Sequence, residues 1–434
     1  MRRAIWPLIL LLECTLAFSQ NKAPLQPGSK NYELKNGQWF DGNQFKKATW
    51  YSINGILSNK RPLRIDSTID LNNGFVIPPF GEAHNHNIAY SDQFSELSAK
   101  YLNHGIFYVK VPNNFIEGRQ KLIANSLINK DTTIDAVFAN GGITSYKGHP
   151  YSIVQRNIEW GNITEKEGEG DFYNTIMSVD ELAAKWPKIM NHHPDFIKTY
   201  LLFSEEYNKR INDSTYIGHR GLEPGLLVNV VKKAHEAGLR VSVHVETAID
   251  FHNAIIAGVN EVNHMPGFRG DPIHGGLDSL KKLNYPLKIF QIDSNDAKLA
   301  GRKGIVVVTT LSGILDVKSA EDRKLADSLF KLNLRTLKEA RVKIALGSDA
   351  YRGDSWWEVE YLATTGIFSN LELLQMFSVT TPQTIFPKRK ITQFKNGYEA
   401  SFLVLKNDPL IDIMNAKEIY FAVKQATILK NTKL

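Results

Sequence analysis

His84 and His86 stand one residue apart in the heptapeptide GEAHNHN, directly behind the apolar run FVIPPF. In an extended chain the side chains alternate between faces, so residues i and i+2 point the same way. Two neutral imidazoles aimed at one point suit a metal ion. Two polar residues at the rim of a sheet would show the same spacing. Other residue types able to share such a centre are scattered along the chain: Lys198 in FIKTYLL, His244 and Glu246 in VSVHVE, His264 in VNHMPG and Asp349 in ALGSD. Singly, each has an ordinary structural reading. A histidine can end a strand at the surface, a lysine can snorkel to the rim, and an aspartate after Gly-Ser can cap a helix.

What joins these residues is the kind of segment that carries them. Eight short apolar runs follow one another from residue 75: FVIPPFGEA, GIFYVKVP, IDAVFANG, FIKTYLL, RVSVHV, EVNHM, GIVVVTT and KIALGSD. Stretches of helical period lie between them. The clearest is EPGLLVNVVKKAHEAG, with Leu226, Leu227, Val230, Val231 and Ala234 on one face, Pro224 near its start and Gly238 at its end, as helix boundaries prefer. Strands rich in Val and Ile that alternate with helices imply parallel βα units. Eight such units predict an α/β fold of the closed (β/α)8 TIM-barrel type, whose chemistry gathers at the C-terminal ends of the strands. The first, fourth, fifth, sixth and eighth runs carry the candidate ligands there, a joint placement that favours a metal centre.

The flanks read differently. YELKNGQWFDG, ATWYSINGIL and STIDLNNGFVIP before the barrel, and ASFLVLKND and IYFAVKQATIL after it, are strand-like with Asn-Gly and Asp-Gly turn signals. The predicted organisation is a signal peptide over 1–19, a linker over 20–31, a first β-sandwich part over 32–79, the barrel over 80–386 and a second sandwich part over 387–434. The signal reading rests on the basic start MRR, the apolar core AIWPLILLL and the small-x-small AFS before Gln20. It implies export to the periplasm or medium. Cys14, the only cysteine, lies inside that segment, so the mature chain would have neither a disulfide nor a thiol nucleophile. A net charge of +7 spread over 434 residues without a long Lys/Arg block argues against nucleic acid as a partner. No run predicts a membrane span, and oligomeric state is not legible.

The ordered set His-x-His, Lys, His, His, Asp on strands one, four, five, six and eight resembles the amidohydrolase superfamily. So do the flanks, GQWFDG…IDLNNGFVIPPFGEAHNH leading in and TPQTIF…GYEASFLVLKNDPL leading out. The segments FIKTYL, GLRVSVHVET and GGITSYKGHP are most similar to the imidazolonepropionase-like and Xaa-Pro dipeptidase-like branch. The resemblance implies two divalent metal ions, zinc first with manganese or iron as options. His84 and His86 would hold one and His244 and His264 the other. Lys198, carboxylated on its amine, would bridge them, and Asp349 would ligate the first ion and handle protons. The implied reaction is metal-dependent hydrolysis of a carbon–nitrogen bond in an amide, cyclic amide or dipeptide. Two departures stand out: Glu82 occupies a place where the family usually has Asp, and Thr247 one where the deaminase branch has an acid, although Glu246 is adjacent. His149 in the loop GGITSYKGHPYSI, Tyr200 two residues after Lys198, and Arg220 and Arg352 are candidates for substrate contact, the arginines through bidentate pairing with a carboxylate. Alternatives are a mononuclear deaminase-type enzyme with Lys198 a bystander, and a non-catalytic envelope binding protein.

Overall fold

The computed structural model describes residues 30–89, 93–161, 163–164, 168–267, 287–317, 319–350 and 353–429. The predicted signal peptide and most of the linker lie outside the described residues, as does Arg352. Among the described residues, no helix is long and apolar enough to cross a membrane.

The eight apolar runs are parallel strands: Phe80–Glu82, Ile106–Val111, Asp135–Phe138, Ile197–Tyr200, Val241–His244, Glu261–Asn263, Val306–Thr309 and Lys343–Leu346. They pair in chain order within two arcs of sheet. Backbone bonds bridge the two seams. Ala83 N donates to Leu346 O at 2.8 Å between the first and eighth strands, and Asp195 N donates to Phe138 O at 2.9 Å between the third and fourth. The long segment after the third strand, read from sequence as a loop, contributes a further short strand, Gly142–Thr144, which pairs with the fourth through Ile143 and Thr199. Tyr173–Thr175 pairs along its other side. Val306–Thr309 and Ile106–Val111 are buried at every position, as strands covered on both faces must be, and this is why they read as unbroken apolar runs.

The helix Pro224–Glu236 buries Leu226, Leu227, Val230, Val231 and Ala234, the face its periodicity marks. Its start is fixed by Pro224 and by the Glu223 side chain, which accepts from Leu226 N. Gly238, just beyond its end, takes the left-handed φ of 72° that side chains resist.

The flanks form one eight-stranded sheet with its own core, built around Leu34, Trp39, Leu57, Leu71, Val76, Phe402, Val404 and Val423. The two halves meet where Phe75–Ile77 pairs antiparallel with Phe402–Leu405. A buried ionic clamp fixes this sheet to the barrel. Asp135 at the start of the third barrel strand accepts from Lys424 Nζ at 2.7 Å and from Arg389 Nη1 at 2.7 Å, while Arg389 Nη2 reaches Glu399 at 2.7 Å. Burial pushes the Asp135 carboxyl up, but the Lys424 and Arg389 cations outweigh it and hold the group below its ordinary value. The stability that Asp135 contributes is therefore complete above the ordinary carboxylate pKa and is lost as pH falls through the depressed value in the folded state. Asp135→Ala leaves two buried cations short of an anion, and the expected loss is about 3–5 kcal/mol in urea unfolding at pH 7. A change near zero would show that the clamp does not hold the sheet.

Candidate active site

The C-terminal strand ends converge on a cavity of about 170 Å³ that His84, His86, Lys198, His244, His264 and Asp349 line together. The first barrel strand ends at Glu82, so His84 and His86 sit in the bend just past it. Their rings still share a side, with centroids 5.3 Å apart, and both face Asp349: His84 Nε2 is 3.5 Å and His86 Nε2 3.3 Å from its Oδ1. Between them Asn85 is fully buried and donates to Ser348 Oγ at 3.0 Å.

Glu82 holds this corner. It accepts from His84 N at 3.1 Å, Ser348 N at 2.9 Å and Ser348 Oγ at 2.8 Å, and so ties the first strand end to the eighth. Burial pushes its carboxyl well above the usual range, and the Ser348 and His84 donors pull back against that. Asp349 N donates to His84 O at 2.7 Å, completing the junction. Gly347 makes it possible: a Cβ there would lie 2.6 Å from His84 Cβ and 2.7 Å from His84 N.

Two of the converging residues have backbones in the left-handed region, His264 at φ 69° and Asp349 at φ 50°, a conformation that non-glycine residues adopt at a cost and that gathers at functional sites. His264 Nδ1 is engaged with Thr310 Oγ1 at 2.6 Å. His84, His264 and Asp349 each offer a ligand atom within 4.8 Å of the others. The division implied by the family resemblance pairs His264 with His244 and His84 with His86. The His264 ring stands 4.7 Å from that of His84 and 4.3 Å from that of His244, and so lies between them. The His244 Nε2 is 3.0 Å from Glu246 Oε1, a neighbour set by strand alternation.

A divalent cation fits this donor set. The three ligand atoms are close enough to share one ion, two of the residues are imidazoles and the third a carboxylate. Burial, and then the nearby Lys198 cation, press the His84 ring well toward its neutral form, the form that ligates. Its Nδ1 is buried without a hydrogen-bond partner, which is costly unless something else satisfies it. Burial also lowers the Lys198 ammonium to about 7, against the opposing pull of Asp349 and Glu261.

Of the predicted substrate contacts, His149 and Tyr200 line the cavity. The His149 ring is 5.1 Å from that of Tyr200 and 5.0 Å from that of His244. Tyr200 needs Gly142 beneath it, since a Cβ there would meet the ring and its hydroxyl at 2.5 Å. Arg220 does not line the cavity. Its guanidinium bonds to Arg210 O at 3.3 Å and Ile211 O at 2.5 Å, and its own carbonyl accepts from His149 N at 2.8 Å, so it supports the loop that carries His149. Sequence reasoning missed Asn113, Arg156 and His219, which line the cavity too. The carbonyl of Asn113 stands 3.4 Å from His86 Nδ1. Arg156, on the helix Tyr151–Glu159, is exposed, and its guanidinium has no ion pair among the described residues.

No family model matches this chain. A stretch of 154 residues is 30% identical to ochratoxinase of Aspergillus niger, covering 32% of this chain and 31% of that protein, so the match spans under a third of the relative's length. The crystal structure of the Aspergillus niger ochratoxinase superposes with a TM-score of 0.71 at 16% identity, over 94% of this chain and 97% of that one. Molinate hydrolase gives 0.69 at 15% identity over 94% and 96%, and a Xaa-Pro dipeptidase with bound methionine 0.66 at 17% over 92% and 100%. Glu82→Ala would orphan two buried N–H groups and loosen both ligand-bearing strand ends. Zinc competition titration should show binding weakened ~10–100-fold, and an unchanged affinity would refute the role given to Glu82. At these identities the likenesses establish the fold, which this chain shares with an amidohydrolase and an ochratoxinase of known structure.

Proposed function

We propose that this chain is a metal-dependent hydrolase of carbon–nitrogen bonds, acting on an N-acyl amino acid or dipeptide with a free carboxylate. The observation that carries the reading is the convergence of His84, His264 and Asp349 within 4.8 Å in a cavity that Lys198 also lines. Likeness in fold to an ochratoxinase, a Xaa-Pro dipeptidase and a molinate hydrolase supports it.

In this reading His84, His86, His244, His264, Asp349 and a carboxylated Lys198 hold two divalent ions, with zinc the best match to imidazole and oxygen donors. The ions supply Lewis-acid polarisation of the scissile carbonyl and a more acidic water. The rest falls to the chain. The neutral amine of Lys198 adds through its lone pair to the carbon of carbon dioxide. One C–O π pair moves to oxygen and one N–H proton passes to solvent water, giving an anionic carbamate. Asp349 takes a proton from the attacking water and delivers it to the departing nitrogen as the C–N bond breaks. Burial keeps the Tyr200 phenol protonated, so it can donate to the carbonyl oxygen as negative charge grows there. His149 stands beside it. At the rim Arg156 is positioned for the substrate carboxylate, while the acids of the cavity, Asp349 and Glu246, already face His84, His86 and His244.

A one-metal deaminase-type enzyme is the second reading. The Glu246–His244 contact is the feature that keeps it in view, and one zinc per chain rather than two would favour it. Export through residues 1–19 is a further proposal. Fractionation of the expressing cells tests it, and an uncleaved cytoplasmic product would oppose it.

Two kinetic measurements probe the roles. Asp349→Asn should lower kcat by ~10²–10⁴-fold on a working N-acyl amino acid while largely retaining metal. Full activity would remove Asp349 from the proton path. Arg156→Gln removes a charged hydrogen bond worth about 1.5–3 kcal/mol, so KM for carboxylate substrates should rise at least ~10-fold with kcat little changed. The carboxamide analogue of the same substrate should be indifferent to this change, and an equal loss on both would rule out carboxylate recognition by Arg156.

A further inference from the structure

Beneath the cavity, the barrel interior holds a sealed patch of polar side chains. Lys110 Nζ donates to Glu261 Oε1 at 2.6 Å, and Thr384 Oγ1 donates to Glu261 Oε2 at 2.7 Å. Asn263 Nδ2 donates to Glu261 Oε1 at 3.0 Å. Ser242 Oγ lies 2.9 Å from that same oxygen and 2.7 Å from Asn263 Oδ1, sharing one hydrogen between them. Lys198 Nζ donates to Asn263 Oδ1 at 2.5 Å. Lys110, Lys198, Ser242, Glu261 and Asn263 are each at most 3% exposed.

The neighbours dictate which way the Asn263 amide faces. Burial pushes the Glu261 carboxyl up, but the Lys110 and Arg240 cations hold it down at about 2, so it only accepts hydrogens. The NH2 of Asn263 must therefore face Glu261, and its oxygen must face Lys198 and Ser242. A group that only accepts then confronts Lys198 Nζ. A carbamate keeps a single N–H, and its nitrogen and carboxyl atoms are coplanar.

We infer that Asn263 is the positioning residue of the bridging lysine: its oxygen, pinned by Glu261, takes the one N–H of carboxylated Lys198 and thereby turns the carbamate oxygens away from the barrel floor and into the cavity. The inference rests on the bridging role given to Lys198 above. The choice of Asn over Asp matters physically. A carboxylate at position 263 would pair with the lysine as an ammonium, which has no lone pair to offer carbon dioxide, and would hold it in that form.

The test uses full-length protein loaded with zinc in ¹³C-bicarbonate, as wild type, Asn263→Asp and Asn263→Leu. The readouts are the carbamate carbon resonance by ¹³C NMR, zinc per chain by mass spectrometry, and the fold by circular dichroism. Wild type should show the resonance and two zinc ions. Both variants should lose the resonance while folded and bind the second zinc ~10–100-fold more weakly. Excess bicarbonate should restore signal in Asn263→Leu but not in Asn263→Asp. A wild-type level of resonance and zinc in either folded variant would overturn the inference. Loss of the fold in both would overturn it as well, by making Asn263 a structural residue. Absence of the resonance from the wild type would instead defeat the bridging role of Lys198 itself.

Discussion

A carboxyl group sealed inside protein has to be supplied with hydrogen-bond partners, and Glu82 obtains them from both sides of the barrel seam. His84 N lies on one side; Ser348 N and Oγ lie on the other. That requirement fixes where the first and eighth strands end relative to each other, and with them His84, His86 and Asp349. Packing alone would allow the strands to slide by fractions of an ångström; three hydrogen bonds to one buried group do not. The place taken by Gly347, where a Cβ would press on His84, shows how closely the two backbones approach as a result.

The same principle extends inward. The barrel is not filled by aliphatic side chains alone. Below the cavity lie Lys110, Ser242, Glu261 and Asn263, each bonded to another member of the group. A partly satisfied network of this kind would be worse than an apolar core, and a fully connected one rigidifies it. Its cost is offset by direction: the neighbours allow the Asn263 amide one orientation, so the lysine above it has one place to point. The mouth and the floor of the barrel are thus both organised by carboxyl groups, one at the strand seam and one beneath the bridging position.

Much of this could be read from the sequence, and the parts that could not have physical reasons. The buried face from Leu226 to Ala234 was legible because helical period is a local property. The positions of Lys198, His244, His264 and Asp349 were legible because each follows or occupies an apolar run, and a barrel sends such positions to one mouth. The strand Gly142–Thr144 was not, since three residues opening on a glycine carry no periodic signal. Arg220 and Arg156 could not be told apart as ligands. One has its guanidinium against the carbonyls of Arg210 and Ile211 and the other is at the rim, a difference set by loop paths rather than by residue type. That the His264 ring stands between those of His84 and His244, on a left-handed backbone, is a geometry no spacing rule anticipates.

The flanking sheet is completed only where Phe75–Ile77 meets Phe402–Leu405, strands that lie on either side of the whole barrel in the chain. Closing so long a loop is entropically slow, so Phe75–Ile77 leaves the ribosome with an unpaired edge and keeps it until Phe402–Leu405 has been made. Asp135 likewise waits for Lys424, which follows Phe402–Leu405 in the chain. The pairing that joins the two flanks therefore waits on all the chain between them, and the order of translation is not the order of pairing.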